Sequence, residues 1–217
     1  MKIIGQVLLS FIVYLLLCAA TFLMLRTIMG YASFRDDVGF LLLKQDYLDN
    51  KVWKAAFYIH VFSAIVALLA GFTQFSGQVL QERRQLHRVA GRVYAWNIML
   101  INFPAGLIMA VYANGLLPSK IAFVILDCLW CWFTWQGVAA AKRGDIPAHR
   151  RFMIRSYALT LSAITLRTWK EILSHSFDID PLTLYMIDAW LGFVPNLLLA
   201  EGWIYLTSRA NKRLTSL

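Results

Sequence analysis

The sequence predicts an all-α fold: a polytopic transmembrane helix bundle of about six spans, forming a single integral membrane domain over residues 1–217. Three observations carry this. Apolar residues make up 59% of the chain and charged residues 15%, against about 45–50% and about 25% in soluble domains. The apolar residues fall in runs of about 20, the length that crosses a hydrocarbon core. The net charge of +9 is gathered in a few short segments between those runs, as in loops held on one side of a membrane.

The spans are placed at 3–25, 52–76, 90–113, 121–141, 152–173 and 184–206. The first follows Lys2 directly and is longer than the roughly 7–15-residue core of a signal peptide, so it reads as a retained helix. Asn114-Gly115 and Pro118 mark the turn between spans 3 and 4, and Gly144-Asp145 with Pro147 marks the next loop. Pro181 precedes span 6. Spans 2 to 5 are expected to form a four-helix core, with spans 1 and 6 more peripheral. Cys18, Cys128 and Cys131 all lie in apolar segments, so no disulfide framework is implied.

Lys and Arg set the orientation. Arg83, Arg84, Arg88 and Arg92 follow span 2; Lys142, Arg143, Arg150, Arg151 and Arg155 follow span 4; Arg209, Lys212 and Arg213 follow span 6. Both termini and these loops are therefore expected in the cytoplasm. The loop at 26–52 is the exception, because it mixes bases with aspartates and with Phe40, Leu41, Leu42, Leu43, Tyr47 and Leu48. It reads as an extracytoplasmic loop with an interfacial amphipathic helix, capped by Asp36 or Asp37.

Polar residues inside the spans fall on faces. At about 100° per residue, His149, Ser156, Thr160, Arg167, Lys170 and Glu171 share one arc of span 5. His60, Ala64, Ala67, Gly71, Gln74 and Gln78 share a face of span 2. Asp127, Cys131, Thr134 and Ala141 do so on span 4, and His87, Gly91, Tyr94 and Ala105, with Asn102 at the margin, on span 3. Lipid satisfies no polar group, so these faces are expected to meet in an internal seam. Asp127 and Arg167 are expected as an intramembrane polar pair, and Glu201 as a partner for one of the entrance arginines.

The histidines sort by depth. His87 and His149 each open a basic run, with Arg88 and Arg92 beside the first and Arg150, Arg151 and Arg155 beside the second. His60 lies toward the opposite surface, and His175 just past the end of span 5. His60, His87, His149 and the arginines beside the last two form the candidate ligand or cofactor site. Three functions stay open. A redox protein would place haem b between His87 and His149 with its propionates on the arginines, or would use a quinone. A transporter would pass a proton or small solute along His60, Asp127, Arg167, Glu201 and His149. A non-catalytic protein would grip anionic lipid headgroups or an acidic partner. Nucleic-acid, nucleotide-binding and zinc-hydrolase patterns are missing.

Three strings, FYIHVFSAIVALLAGFTQF around His60, QLHRVAGRVYAWNIML around His87 and HRRFMIRSYALTLSAITLR from His149 to Arg167, resemble a family of predicted bacterial membrane proteins, a domain of unknown function, DUF 2306. The matching positions are His60, Gln74, Phe75, His87, Arg88, Gly91, Arg92, His149, Arg150, Arg151, Arg155 and Arg167. The resemblance implies a multi-pass protein of the bacterial inner membrane and brings no activity or cofactor with it.

Overall fold

The computed structural model describes residues 2–74 and 77–215, and the side chains of residues 12–209 apart from 13, 72 and 75–78. Phe75, Ser76 and the side chains of Lys2, Gln78, Lys212 and Arg213, all invoked above, lie outside the described residues. The described residues contain helices and no strand. The chain divides into two units, Met1–Lys54 and Ala55–Leu217.

The first unit contains α1 (Lys2–Gly30), the turn Tyr31–Ser33, and a loop. The expected interfacial helix is instead two short 3₁₀ turns, Gly39–Leu43 and Gln45–Tyr47. The aspartates do not cap them: Asp37 pairs with Arg35 and Asp36 with Lys54. Gly39, at φ +51°, turns the chain where the Tyr31 ring leaves no room for a Cβ, and the Tyr31 hydroxyl accepts the Phe40 amide at 2.9 Å. Lys44 is buried, with its ammonium over the Phe40 and Tyr47 rings. Asn50 caps the next helix by accepting from the Val52 and Trp53 amides.

The second unit continues α2 (Lys51–Gln74) and adds α3 (Gly77–Glu82), α4 (Arg84–Trp96), a π-helical turn (Asn97–Asn102), α5 (Phe103–Val111), α6 (Leu116–Lys142), α7 (Ile146–Thr160), α8 (Ser162–Ser176), α9 (Pro181–Leu191) and α10 (Val194–Thr215). Among the described residues, five stretches across the two units are long and apolar enough to cross a membrane: Tyr14–Ser33, Lys51–Gly71, Arg84–Val111, Leu116–Lys142 and Pro181–Arg209. Span 5 corresponds to α7 and α8, helical throughout but interrupted at Leu161.

Local chemistry explains the ends. Gly115 and Gly144 sit at φ +76° and +79°, which glycine adopts without strain, at the two expected turns. Asp145 accepts the Ala148 amide to start α7, and Asp180 accepts the Leu182 and Thr183 amides to start α9; a proline follows each.

Three spans are broken, and proline accounts for two of the breaks. Pro104 has no amide for the Leu100 carbonyl, and the turn before it widens to π. Pro195 follows the break at Gly192–Phe193 between α9 and α10 in the same way. At the third break, the Asn196 amide donates to the Ala158 carbonyl at 3.1 Å. An uninterrupted helix would use that carbonyl for the Ser162 amide.

The core gathers Ala67 of α2, Tyr94 of α4, Ile98 of the π turn, Ala122 and Trp130 of α6, and Tyr157 and Leu159 of α7. These are the four expected core spans. Ala189 and Phe193 of the sixth span join them. Gly71 allows the Tyr157 ring to lie flush on α2, where any Cβ would overlap it, and the Tyr157 hydroxyl donates to the Leu68 carbonyl.

Candidate functional site

Two polar clusters occupy the interior of the second unit, and they differ in how far their hydrogen bonds are satisfied. The first is closed. Tyr94 Oη lies 2.7 Å from Ser156 Oγ and 2.8 Å from Thr160 Oγ1, Thr134 Oγ1 lies 2.7 Å from Ser156 Oγ, and Trp130 Nε1 donates to Thr160 Oγ1. Thr134 donates to the Trp130 carbonyl. One assignment of protons satisfies the whole ring: Trp130 donates to Thr160, Thr160 to Tyr94, Tyr94 to Ser156, Ser156 to Thr134, and Thr134 back to Trp130. Such a ring ties α4, α6 and α7 together without exposing a polar group to lipid.

The second cluster is open. Asp127, near the middle of α6, is 6% exposed, and its Oδ2 has no hydrogen-bond partner. Its carboxylate fills the space left by the missing side chain of Gly106 on α5. One turn earlier, Asn102 is wholly buried; its amide nitrogen donates to the Asn97 carbonyl, and its Oδ1 is without a partner. His60 of α2 keeps a buried, unpartnered Nδ1. Asn102, and Asp127 where it faces Gly106, thus lie at successive turns of the third span, while His60 belongs to α2. Each leaves a polar atom unsatisfied, at a cost of about 1–3 kcal/mol apiece. Asn97, in the same π turn, donates to the Ser63 carbonyl and so fixes α2 against it.

The expected seam is therefore realised in part. Ser156, Thr160, Thr134 and Tyr94 face inward as the helical periodicity predicts. Arg167, Lys170 and Glu171 do not: they are exposed, because the break at Leu161 ends the regular rotation on which the shared arc depends. Arg167 donates to the Ala163 carbonyl of its own helix. Among the described residues the ion pairs are Arg35–Asp37, Lys54–Asp36, Arg155–Glu201 and His175–Glu171. The expected Asp127–Arg167 pair is not one of them, since Asp127 points at α5 and Arg167 outward.

At the basic end, His87 and His149 come within electrostatic reach of each other. His149 Nδ1 lies 2.8 Å from the Gly137 carbonyl, and His87 Nδ1 is buried without a partner. Gln74 donates to the His87 carbonyl over Gly91, where a Cβ would meet the Gln74 amide. Arg155 is engaged: it forms a two-pronged ion pair with Glu201 and lies over the Phe133 and Phe152 rings. Arg88, Arg92, Arg150 and Arg151 are exposed. His175 is exposed at the end of α8, bonded to the Glu171 carbonyl. Cys128 and Cys131 are free. No group of three or more His, Cys, Asp or Glu side chains is placed to hold a metal ion among the described residues.

The faces of isolated helices pointed to Asp127, Thr134, Ser156 and Thr160. They gave no hint that Trp130 closes the ring, or that Asn97 and Asn102 form a turn of their own; Pro104 was the available signal for that turn.

A family model described as "Predicted membrane protein (DUF2306)" matches residues 57–204, more than half of the chain. No curated protein and no solved structure matches it.

Proposed function

The chain belongs to this family of predicted membrane proteins, and from that premise we propose that it handles a proton or a small polar solute within the membrane, at the site formed by Asp127, His60 and Asn102. One observation carries this reading: Asn102 in the π turn, Asp127 against Gly106 one turn further on, and His60 on α2 each keep a buried polar atom without a hydrogen-bond partner, while the neighbouring hydroxyl ring is fully satisfied. Ionisable groups inside a span are costly and usually mark a pathway. An unmade hydrogen bond beside a carboxyl and an imidazole is where a proton, a water or a solute gains most. Asp127 supplies the titratable oxygen, His60 a second proton-binding atom and Asn102 a neutral acceptor. The exchange of a proton between Asp127 and a bound solute would couple the two.

The test is flux in proteoliposomes made from the whole protein, with a pH-sensitive dye inside. Flux reduced at least tenfold by Asp127→Asn and by His60→Ala, in variants that keep wild-type helicity, supports the reading. Absence of flux in the wild type, or flux indifferent to both changes, overturns it.

A redox reading is favoured by one observation at the other end. The Gly137 carbonyl holds His149 Nδ1, which leaves Nε2 as the free lone pair, the arrangement a metal-bound imidazole needs. His87, Arg88, Arg92, Arg150 and Arg151 stand nearby as second ligand and propionate partners. A Soret band lost on His149→Ala would select haem b over the transport reading; a colourless protein after expression with ample haem would remove it. By the distribution of Lys and Arg, the end carrying His87 and His149 belongs in the cytoplasm.

A further inference from the structure

We propose that the groove between α2 and the α4–π segment binds an anionic phospholipid, with one acyl chain along the groove and its phosphate on Arg92. The groove has a volume of about 670 Å³ and is lined by Val66, Val93, Leu100 and Ile101 with Ser63 and Asn97, and, toward the start of α4, by Arg92 and Val89. Its walls are apolar and exposed: Val66, Val93, Leu100 and Ile101 present 39%, 47%, 61% and 42% of their surface. They lie within the spans Lys51–Gly71 and Arg84–Val111, so hydrocarbon covers them.

The charge at one end makes the groove selective. Arg84, Arg88 and Arg92 recur every fourth residue on α4, about 6 Å apart along one side. None of the ion pairs among the described residues involves them. Arg92 is the deepest and lines the groove itself. Trp96, one turn further in, is 57% exposed and also lines it, and exposed tryptophan sits by preference at the level of the headgroups. Guanidinium at the mouth, indole just inside and aliphatic walls beyond follow the order of a phospholipid: phosphate, glycerol region, acyl chain. A zwitterionic lipid would fill the same walls but bring its own cation to the arginines, so the preference is for a net negative headgroup.

The site is separate from the Asp127 cluster, and either survives the failure of the other. Purified, delipidated protein is titrated with dioleoylphosphatidylglycerol, dioleoylphosphatidylcholine or glycerol phosphate, and bound molecules are counted by native mass spectrometry. Phosphatidylglycerol is expected to bind about tenfold tighter than phosphatidylcholine, because both offer the phosphate but only phosphatidylcholine brings a cation beside the arginines. Arg92→Gln removes that preference, and Arg143→Gln, an exposed arginine in the loop before α7, keeps it. Val93→Trp fills the groove and lowers binding of both lipids; should it fail to fold, Arg92→Gln decides alone. Equal binding of the two lipids, equal effects of Arg92→Gln and Arg143→Gln, or glycerol phosphate bound as tightly as the whole lipid would each overturn the proposal.

Discussion

The hydroxyl of Tyr94 on α4 lies 2.7 Å from that of Ser156 on α7, and both are wholly buried. The bond joins two spans at a point where neither side chain has water as an alternative. Tyr94→Phe therefore removes a donor and an acceptor from a ring in which every member is used. Melting of the purified protein should show a loss of about 1–3 kcal/mol. Adding Ser156→Ala should cost less than the sum of the two single changes, because they share one network. Strict additivity would show that the ring is not a unit.

Asn196 joins two broken helices. Its amide donates to the Ala158 carbonyl before the break at Leu161 and lies 3.0 Å from Thr165 Oγ1, whose hydroxyl reaches the Gly192 carbonyl at the facing break. Asn196→Leu leaves these carbonyls short of donors in a half-buried place. A loss of about 1–3 kcal/mol is expected, with faster hydrogen exchange at residues 158–165. Unchanged exchange there would show that the breaks do not depend on the amide.

Gly106 gives Asp127 its place. A Cβ there would stand within 2.5 Å of the carboxylate, so Gly106→Ala must push Asp127 aside. Flux should fall at least tenfold while helicity is retained. Wild-type flux in Gly106→Ala would mean that the carboxylate works from another position, or not at all.

Arg155 and Glu201 form a two-pronged pair, but about half of the Glu201 side chain is not covered by protein, toward the basic end of its span. The pair should contribute only about 0.2–1 kcal/mol, falling with added salt. The exchanged variant Arg155→Glu with Glu201→Arg should melt above either single variant. If it melts with the worse of the two, the aromatic stacking of Arg155 on Phe133 and Phe152 matters more than the charge.

Asp180 sits below the usual aspartate pKa, because the Thr183 side chain and main chain, and then the Leu182 amide, hydrogen-bond its carboxylate. A lowered folded pKa means that its contribution is complete above the unfolded value, near pH 4, and is lost as pH falls through the folded value. Helix α9 should therefore loosen only below pH 4, read as faster exchange of the Leu182 and Thr183 amides. Asp180→Asn should flatten that dependence while keeping the cap. The same pH profile in the variant would point to another carboxylate.

Much of the candidate site was legible because a regular helix repeats. Thr134, Ser156, Thr160 and Asp127 turn inward where a 3.6-residue period puts them, and the link of Glu201 to an entrance arginine followed from depth alone. The same extrapolation failed at Arg167, six residues beyond a break that no residue of its own segment announces. It failed in the first loop too, where Gly39 and the buried Lys44 favour tight turns over a continuous amphipathic helix.

The sequence by itself determined that this is a membrane protein of apolar helices, where the chain turns, and which residues are too polar to face lipid. Those properties are local: hydropathy, period and capping act within one segment. Only the tertiary structure decided which polar groups are satisfied. Tyr94, Thr134, Ser156 and Thr160 close on one another across three spans, whereas Asp127, Asn102 and His60 are buried with bonds left unmade. A hydrogen bond between helices depends on two surfaces at once, and on breaks such as the one Asn196 holds at Ala158, so the difference between glue and candidate site belongs to the packed bundle.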